Sequence, residues 1–203
     1  MRWDNLFSDL ESQLELGLTT EEENLQAEEE RLRVSRLAIR DRIMAMVVVA
    51  DRGARYSLDL ILKGSDGSDV VEVVVRNIGR DWLAAELVGQ GQQGRQCVVP
   101  LSAIAGIAVS RRQLRHSLEP RHAPTATGAL ADRLGLAFIL RDLCRRRTGV
   151  EVTLVTETLF GTIDRVGRDH LDLAVHEAGK PRRNEEVRAL RIIALDVVLM
   201  IRL

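Results

Sequence analysis

The sequence predicts an α+β protein, mainly β, in which an acidic helical arm precedes two similar β-rich units. Three observations predict this: apolar residues at helical spacing near the N terminus, alternating apolar residues after residue 46, and one phrase that occurs twice. The phrase is IGRDWLAAELV at 78–88 and VGRDHLDLAVH at 166–176. A phrase that returns in an equivalent setting indicates internal duplication of a whole unit.

The N-terminal segment predicts two amphipathic helices. The first has one apolar face, formed by Trp3, Leu6, Phe7, Leu10 and Leu14. The second is expected from about residue 20 to about residue 46, with an apolar stripe at Leu25, Leu32, Ile39, Ile43 and Met46. Residues 1–30 contain ten acids and one Arg, a net charge of −9. We therefore expect an acidic helical arm over 1–30 whose face Trp3, Leu6, Phe7 and Leu10 binds a protein surface.

The remaining chain predicts a duplicated organisation. Residues 31–110 are expected to form a helix and a five-stranded barrel, and residues 129–203 to form a second helix and barrel. Residues 111–128 contain two of the four prolines and little apolar material, which favours a linker. In the second unit, Leu190, Ile192 and Ala194 form one of the alternating apolar series.

The repeated phrase also predicts a local structural role. Gly79 and Gly167 are expected to take a backbone bend that other residues resist, and Asp81 and Asp169 to hydrogen-bond the backbone of their own turns. A loop that contacts a ligand is the alternative interpretation of the same residues.

Composition narrows the class of protein. Hydrophobic residues make up 45% of the chain and charged residues 29%, with a net charge of −1. These values are atypical of a disordered polyanion or of a generally basic nucleic-acid binder. Two cysteines do not form a disulfide framework, and neither a signal peptide nor an apolar run of membrane length is visible. We expect a cytoplasmic protein with no membrane association.

A helix followed by five short strands, twice, resembles the Sm-like fold of the Sm, LSm and Hfq proteins. The segment GTIDRVGRDHLDLAV at 161–175 is similar to the first Sm motif. The Asn that contacts a base in that family corresponds to Asp172 here and to Ala84 in the first unit. The Arg-Gly pair of the second motif has no counterpart in either unit. The resemblance therefore implies the fold, and these departures argue against the family's uridine pocket.

The N terminus carries a second resemblance. The stretch Met1-Arg2-Trp3, Leu6-Phe7 and Asp9-Leu10-Glu11, with Gln13, is similar to the start of an uncharacterised family from GC-rich bacteria whose members are sometimes labelled Fis-like transcriptional regulators. That label implies a C-terminal helix-turn-helix. The C terminus RIIALDVVLMIRL is β-branched and alternating, which predicts strands instead.

No motif for catalysis, metal binding or cofactor binding is present. His170 and His176 have no third ligand nearby in sequence, and the spacing of Ser102, Asp169 and His170 does not support a catalytic triad. We therefore expect a protein that is not an enzyme and has no cofactor or metal.

Two functional hypotheses remain open. The first is an interaction or scaffold protein that self-associates, or binds a protein partner, through the N-terminal helix or the barrel edges. The second is an RNA- or DNA-binding regulator. From residue 110 to the end the chain has 17 basic and 12 acidic residues, a net charge of +5. The expected phosphate contacts are Arg111, Arg112, Arg115, Arg145, Arg146, Arg147, Arg182 and Arg183.

Overall fold

The computed structural model describes residue 22 and residues 24–50, 57–64, 70–89, 94–119, 132–179, 183 and 186–203. The chain divides into two units, Met1–Ala38 and Ile39–Leu203. None of the helices in these ranges combines the length and the apolar character that crossing a bilayer requires.

The helical segment before the sheet is interrupted where the sequence predicts continuity. Helix α1 covers residues 24–35, residues 36–38 leave the helix, and α2 covers Ile39–Ala50. The Ser35 hydroxyl donates to the Leu32 carbonyl oxygen at 2.8 Å, a local bond that competes with helix continuation. The single helix expected from about 20 to 46 is therefore a wrong prediction. The arm residues Trp3, Leu6, Phe7 and Leu10 lie outside the described residues.

The second unit contains the strands and the remaining helices. The strands are β1 Ser57–Leu62, β2 Val70–Ile78, β3 Trp82–Leu87, β4 Gln96–Pro100, β5 Ile104–Ala108, β6 Gly149–Leu154, β7 Thr158–Val166, β8 His170–Val175, β9 Ala189–Ala194 and β10 Val198–Arg202. The helices are α3 Arg111–His116 and α4 Leu136–Arg146, and 3-10 turns cover Leu101–Ala103 and Leu195–Val197.

All ten described strands belong to one antiparallel sheet, in the order β5-β1-β2-β3-β4-β10-β6-β7-β8-β9. The first half, α2 to β5, and the second half, α4 to β10, therefore have the same internal strand order. They join where β4 pairs with β10. The α+β, mainly β class is confirmed. Residues 31–110 and 129–203, expected as separate domains, contribute to a single sheet.

Two apolar clusters pack against this sheet, each built mainly from one half. The first includes Leu60, Leu83 and Val99, and the second includes Leu140 and Leu173. Strand β4 serves both, because successive side chains of a strand point to opposite faces. Its Cys97 and Val99 belong to the first cluster, whereas Val98 belongs to the second and is only 4% exposed. The junction between the halves is thus a packed apolar contact.

The segment expected as a linker begins with a helix. In α3 the Ser110 hydroxyl accepts the backbone N–H of Gln113 at 3.3 Å, and the Gln113 side chain accepts the backbone N–H of Ser110 at 2.8 Å. This reciprocal pair is a capping box. Ser117, just past the helix, is buried and accepts hydrogen bonds from Arg42 of α2. Residues 110–119 are thereby part of the first half's packing.

Candidate functional site

The two Gly-Arg-Asp loops have the same backbone geometry. The first loop is Gly79–Asp81 and the second is Gly167–Asp169, each between two strands of its half. The backbone N–H of Gly79 donates to the Trp82 carbonyl at 2.8 Å, and that of Gly167 donates to the His170 carbonyl at 2.8 Å. These two bonds close each loop at the same position.

The glycines are required by a close approach of an aromatic ring. A Cβ atom on Gly79 would lie 2.1 Å from the Trp82 Nε1 atom, and one on Gly167 would lie 2.4 Å from the His170 Cε1 atom. Neither glycine has a positive φ. The expected role in a special backbone bend is therefore replaced by a steric one, in which the ring of the fourth residue packs directly over the glycine.

The backbone carbonyl groups of the two Asp residues link each loop to a neighbouring turn. The Asp81 carbonyl accepts the Leu101 N–H at 2.9 Å, and the Asp169 carbonyl accepts the Leu195 N–H at 2.8 Å. Both donors open a 3-10 turn that follows a strand. Each loop is thereby attached to the turn of its own half.

The carboxylates of these Asp residues have different partners. Asp81 Oδ1 accepts the backbone N–H of Leu136, the first residue of α4, at 2.7 Å. Asp169 Oδ1 instead lies 2.8 Å from His170 Nδ1. This hydrogen bond to His170 holds the pKa of Asp169 below its usual value. The expectation that both side chains bond the backbone of their own turns is wrong for Asp81, which bonds another element. For Asp169, a hydrogen bond to its own backbone also contributes to the lowered pKa.

The first loop therefore holds the start of α4. The backbone N–H of Arg80 and the Trp82 indole N–H both donate to the Leu134 carbonyl, at 3.0 and 2.9 Å. Trp82 is buried at 5% exposure. The second loop has the same fold but is open, with the Asp169 side chain 84% exposed and the His170 side chain 47% exposed.

The two loops line one cleft of about 720 Å³. Its lining residues are Arg80, Asp81, Pro100, Ser102, Leu136, Ala137, Arg168, Asp169, His170, Ile192, Ala194, Leu195 and Asp196. Two Arg face three Asp, a formal charge of −1 with the single His counted as neutral, so the cleft has no strong preference for an anion or a cation. Ser102 and the Asp169–His170 pair share the cleft, but among the described contacts no hydrogen bond joins Ser102 to His170.

Within the described ranges, no group of three His, Cys, Asp or Glu side chains is arranged to hold a metal ion. His176, the second histidine of the repeated phrase, is buried and bonds Thr162 Oγ1 at 2.9 Å. It therefore acts in packing and does not face His170 across a shared site.

The arginines expected to contact phosphate divide into two groups. At the end of α4, Arg145 and Arg146 both bond Asp142, at 2.6 and 2.7 Å, and Arg147 lies 3.4 Å from Asp164. The two Arg hydrogen bonds lower the pKa of Asp142 from its usual value. Most of the positive charge at this helix end is therefore locally neutralised.

The second group of arginines is not neutralised by acidic side chains of the described residues. Arg111, Arg112 and Arg115 on α3 are exposed, and no acid of the described residues forms an ion pair with them. Arg112 Nε lies 3.4 Å from His116 Nε2. Arg183 is exposed in its loop, and Arg182 lies outside the described residues.

Strand β9 presents an exposed apolar surface. Leu190 and Ile192 are 71% and 79% exposed, whereas Ile193 between them and Ala194 is buried at 5%. The alternating series Leu190, Ile192 and Ala194 therefore points outward; alternation shows which residues share a face and not which face is covered. The alternating pattern did not predict this surface. Its only signal in the sequence is that apolar residues stand at both even- and odd-numbered positions of β9.

Comparison with known proteins adds no relative: no family model, no curated protein and no solved structure matches this chain.

Proposed function

We propose that this chain is a non-enzymatic scaffold protein that assembles through the two open edges of a sheet built from duplicated Sm-like units. The observation that carries the proposal is the pair of large apolar side chains, Leu190 and Ile192, on the edge strand β9. Edge strands template pairing with another chain, and proteins that stay monomeric usually protect such edges with charge. An uncovered apolar edge favours an interface.

Several features support duplication. Both halves have the same strand order. Strand β2 has a register shift between Val75 and Asn77 against β3, and β7 has one between Ile163 and Arg165 against β8. Both shifts lie three residues before the loop. Because β-bulges are specific local features, the same irregularity at the same place supports a common origin for the two halves.

The register of the strand pairs shows which residues of the two halves are equivalent. Trp82 lies opposite Pro100 on β4, and His170 lies opposite Ala194 on β9. Val98 lies two residues before Pro100 in β4, and Ile192 lies two residues before Ala194 in β9, so Val98 and Ile192 occupy the same place in their halves. Val98 is covered by β10, since Ile201 pairs with it. None of the described strands covers Ile192, so the edge β9 is equivalent to one that is already occupied inside the chain.

The edge strand at the other end of the sheet, β5, is the equivalent of β10, the strand that covers β4. Strand β5 pairs with β1 through Leu60 and Ile107, as β10 pairs with β6 through Val152 and Ile201. Each chain therefore has one edge of each kind. A contact between β9 of one copy and β5 of the next would repeat the internal junction, and copies would add head to tail.

The first experiment uses light scattering on edge variants. Ile192→Asp places a charge on β9, Val109→Asp places one beside β5 where Val109 is 36% exposed, and Phe138→Asp on α4 is the control at 53% exposure. We expect wild type and Phe138→Asp to exceed the 22.7 kDa chain mass, and each edge variant alone to have that mass.

Mixing the two edge variants makes this test specific. One intact β9 and one intact β5 remain, so an equimolar mixture should form a dimer. A wild-type monomer would contradict the proposal. Persistent assembly of Val109→Asp alone, with no mixed dimer of the two variants, would indicate a symmetric β9–β9 contact and would contradict the head-to-tail form.

A second candidate function is nucleic-acid binding by α3, favoured by the exposed group Arg111, Arg112 and Arg115, which has no acidic partner among the described residues. The test replaces these three by Ala and compares the triple replacement of Arg145, Arg146 and Arg147, which have acidic partners. We expect RNA or duplex affinity to fall with salt and to be reduced by the first replacement much more than by the second. Binding that is absent in wild type at low salt would remove this candidate.

The N-terminal MRW-x-x-LF-x-DLE stretch, with its resemblance to an uncharacterised bacterial family, is also part of this proposal. Its Trp3, Leu6, Phe7 and Leu10 would add a second contact surface to the scaffold. Deleting residues 1–18 should leave edge-dependent assembly intact if the sheet edges are the assembly surface. Loss of assembly on deletion, with both edges intact, would transfer that role to the arm.

A further inference from the structure

The internal junction includes a second contact besides the pairing of β4 with β10. The first loop reaches across the junction and holds the start of α4 with three hydrogen bonds. Leu136 N–H donates to the Asp81 carboxylate at 2.7 Å, while Arg80 N–H and the Trp82 indole donate to the Leu134 carbonyl. A carboxylate at a helix N terminus satisfies an open backbone N–H and stabilises the positive end of the helix dipole.

This contact covers an apolar residue at the helix start. Leu136 is only 6% exposed and belongs to the same cluster as Trp82 and Val98. The N-cap residue of α4, Gly135, has no side chain to cap the helix itself. The first loop therefore supplies, from the other half, both the missing cap and the apolar cover.

The second loop has the same construction, but no described hydrogen bond joins its Asp side chain to the start of a helix. Its closing bond, its glycine–ring contact and its bond to the 3-10 turn match those of the first loop. The Asp169 side chain is nevertheless 84% exposed. The equivalent helix of the first half, α2, begins at Ile39, which is 39% exposed, whereas Leu136 at the same place in α4 is 6% exposed.

We infer that the second loop of one copy is the binding site for the start of α2 in the next copy, with the Asp169 carboxylate accepting a backbone N–H at that helix N terminus. The inference rests on the proposed head-to-tail assembly and names the partner of the second loop. Its occupant is a second copy of this chain, because the first loop already binds the equivalent helix of the second half. His170 takes the place of Trp82 in covering the apolar residue at the helix start, Ile39.

The same residues argue against a small ligand in the second loop. The cleft beside the loop has a formal charge of only −1 with His170 counted as neutral, so it provides a weak field for a free ion of either sign. A helix N terminus is a partial positive charge with directed N–H donors, which is the partner that a single exposed carboxylate in this geometry accepts.

Cross-linking between differently marked copies tests the placement. In a Cys144→Ser background, an Asp169→Cys chain is mixed with an Ile39→Cys chain and treated with a short bismaleimide; Cys97, at 1% exposure, is left in place. We expect a cross-linked product of twice the chain mass. The control mixes Asp169→Cys with Phe138→Cys, where Phe138 is another exposed apolar residue on a helix, and should give little product. Equal yields with both partners, or none with either, would overturn the inference.

Association constants separate this contact from the strand pairing. Asp169→Ala should weaken self-association about 2- to 30-fold, the range that corresponds to losing a helix cap. Asp169→Asn, which keeps an acceptor, should recover most of the affinity, and Asp196→Ala in the same cleft should have little effect. If Ile192→Asp abolishes assembly but Asp169→Ala leaves the constant unchanged, the edge pairing stands and the loop contact is wrong. If wild type is a monomer, the scaffold proposal itself fails.

Discussion

The Asp81 carboxylate caps a helix that starts 55 residues later in the chain, through a 2.7 Å hydrogen bond from the backbone N–H of Leu136. Asp169, its counterpart in the second Gly-Arg-Asp phrase, bonds only the adjacent His170 among the described side chains. One sequence phrase thus performs two different side-chain roles, and the difference lies in what the neighbouring half presents to each loop.

Replacing Asp81 should therefore cost more stability than replacing Asp169. We expect Asp81→Ala to lower the free energy of unfolding by about 0.5–2 kcal/mol, the usual cost of a lost cap. Asp81→Asn should recover most of the loss because an amide oxygen also accepts the Leu136 N–H. Urea unfolding of the three variants measures this. Equal losses for Asp81→Ala and Asp169→Ala in a monomeric background would contradict the assignment.

The two glycines should also differ although their sequence context is the same. In Gly79→Ala the new Cβ clashes with Trp82, which is 5% exposed and bonds the Leu134 carbonyl, so the ring has no free direction in which to move. We expect a loss of about 1–3 kcal/mol, typical of overpacking. In Gly167→Ala the exposed His170 ring can rotate away at small cost. Thermal unfolding of both variants tests this, and a larger shift for Gly167→Ala would disprove the argument.

The two cysteines should react at different rates. Burial raises the pKa of the Cys97 thiol to about 11, against the opposing effect of the nearby Arg202 guanidinium. Because the thiolate is the reactive form, Cys97 in the native protein should be labelled by iodoacetamide at pH 8 much more slowly than Cys144, which is partly exposed. Mass spectrometry of peptides quantifies the rates, and the denatured protein, in which both should react alike, is the control.

The same raised pKa predicts a pH dependence of stability. The folded state retains the Cys97 proton to higher pH than the unfolded state, so its contribution is present below the ordinary thiol pKa of 9.0 and is lost as pH rises toward about 11. Cys97→Ala should reduce the fall in stability over this window. Denaturant midpoints between these pH values measure the effect, and parallel curves for wild type and Cys97→Ala would contradict it.

The Asp169–His170 pair predicts a titration shift. His170 lowers the pKa of Asp169 from its ordinary value of 3.8, so the stabilising effect of the pair is present above that value and is lost as pH falls through the lowered pKa. In His170→Ala the pKa of the Asp169 carboxyl should rise toward the ordinary value. Carbon-13 NMR of the carboxyl group follows this directly, with Asp172 as the internal reference. An unchanged Asp169 titration would show that the 2.8 Å contact has no electrostatic effect.

Local patterns in the chain were sufficient to predict most of the strands and the two equivalent loops. Alternating apolar residues predicted most strands, since a half-buried strand needs this period. The repeated Gly-Arg-Asp phrase predicted equivalent loops, and both loops have the same backbone bonds. The capping box that opens α3, Ser110 with Gln113, was also readable from local spacing, although the surrounding Pro and Arg residues favoured a linker.

The sequence by itself determined which residues form strands, which residues share a face, and which loops repeat, because these depend on contacts close in the chain. Only the tertiary structure decided which faces and edges are covered. Val98 and Ile192 have equivalent places in their strands, but Val98 is 4% exposed under β10 and Ile192 is 79% exposed. Asp81 and Asp169 likewise have equivalent places in their loops, but among the described residues only Asp81 is bonded to the start of a helix. Burial of an edge depends on the strand beside it, and that neighbour is about a hundred residues away for β4 and is not part of the described chain for β9.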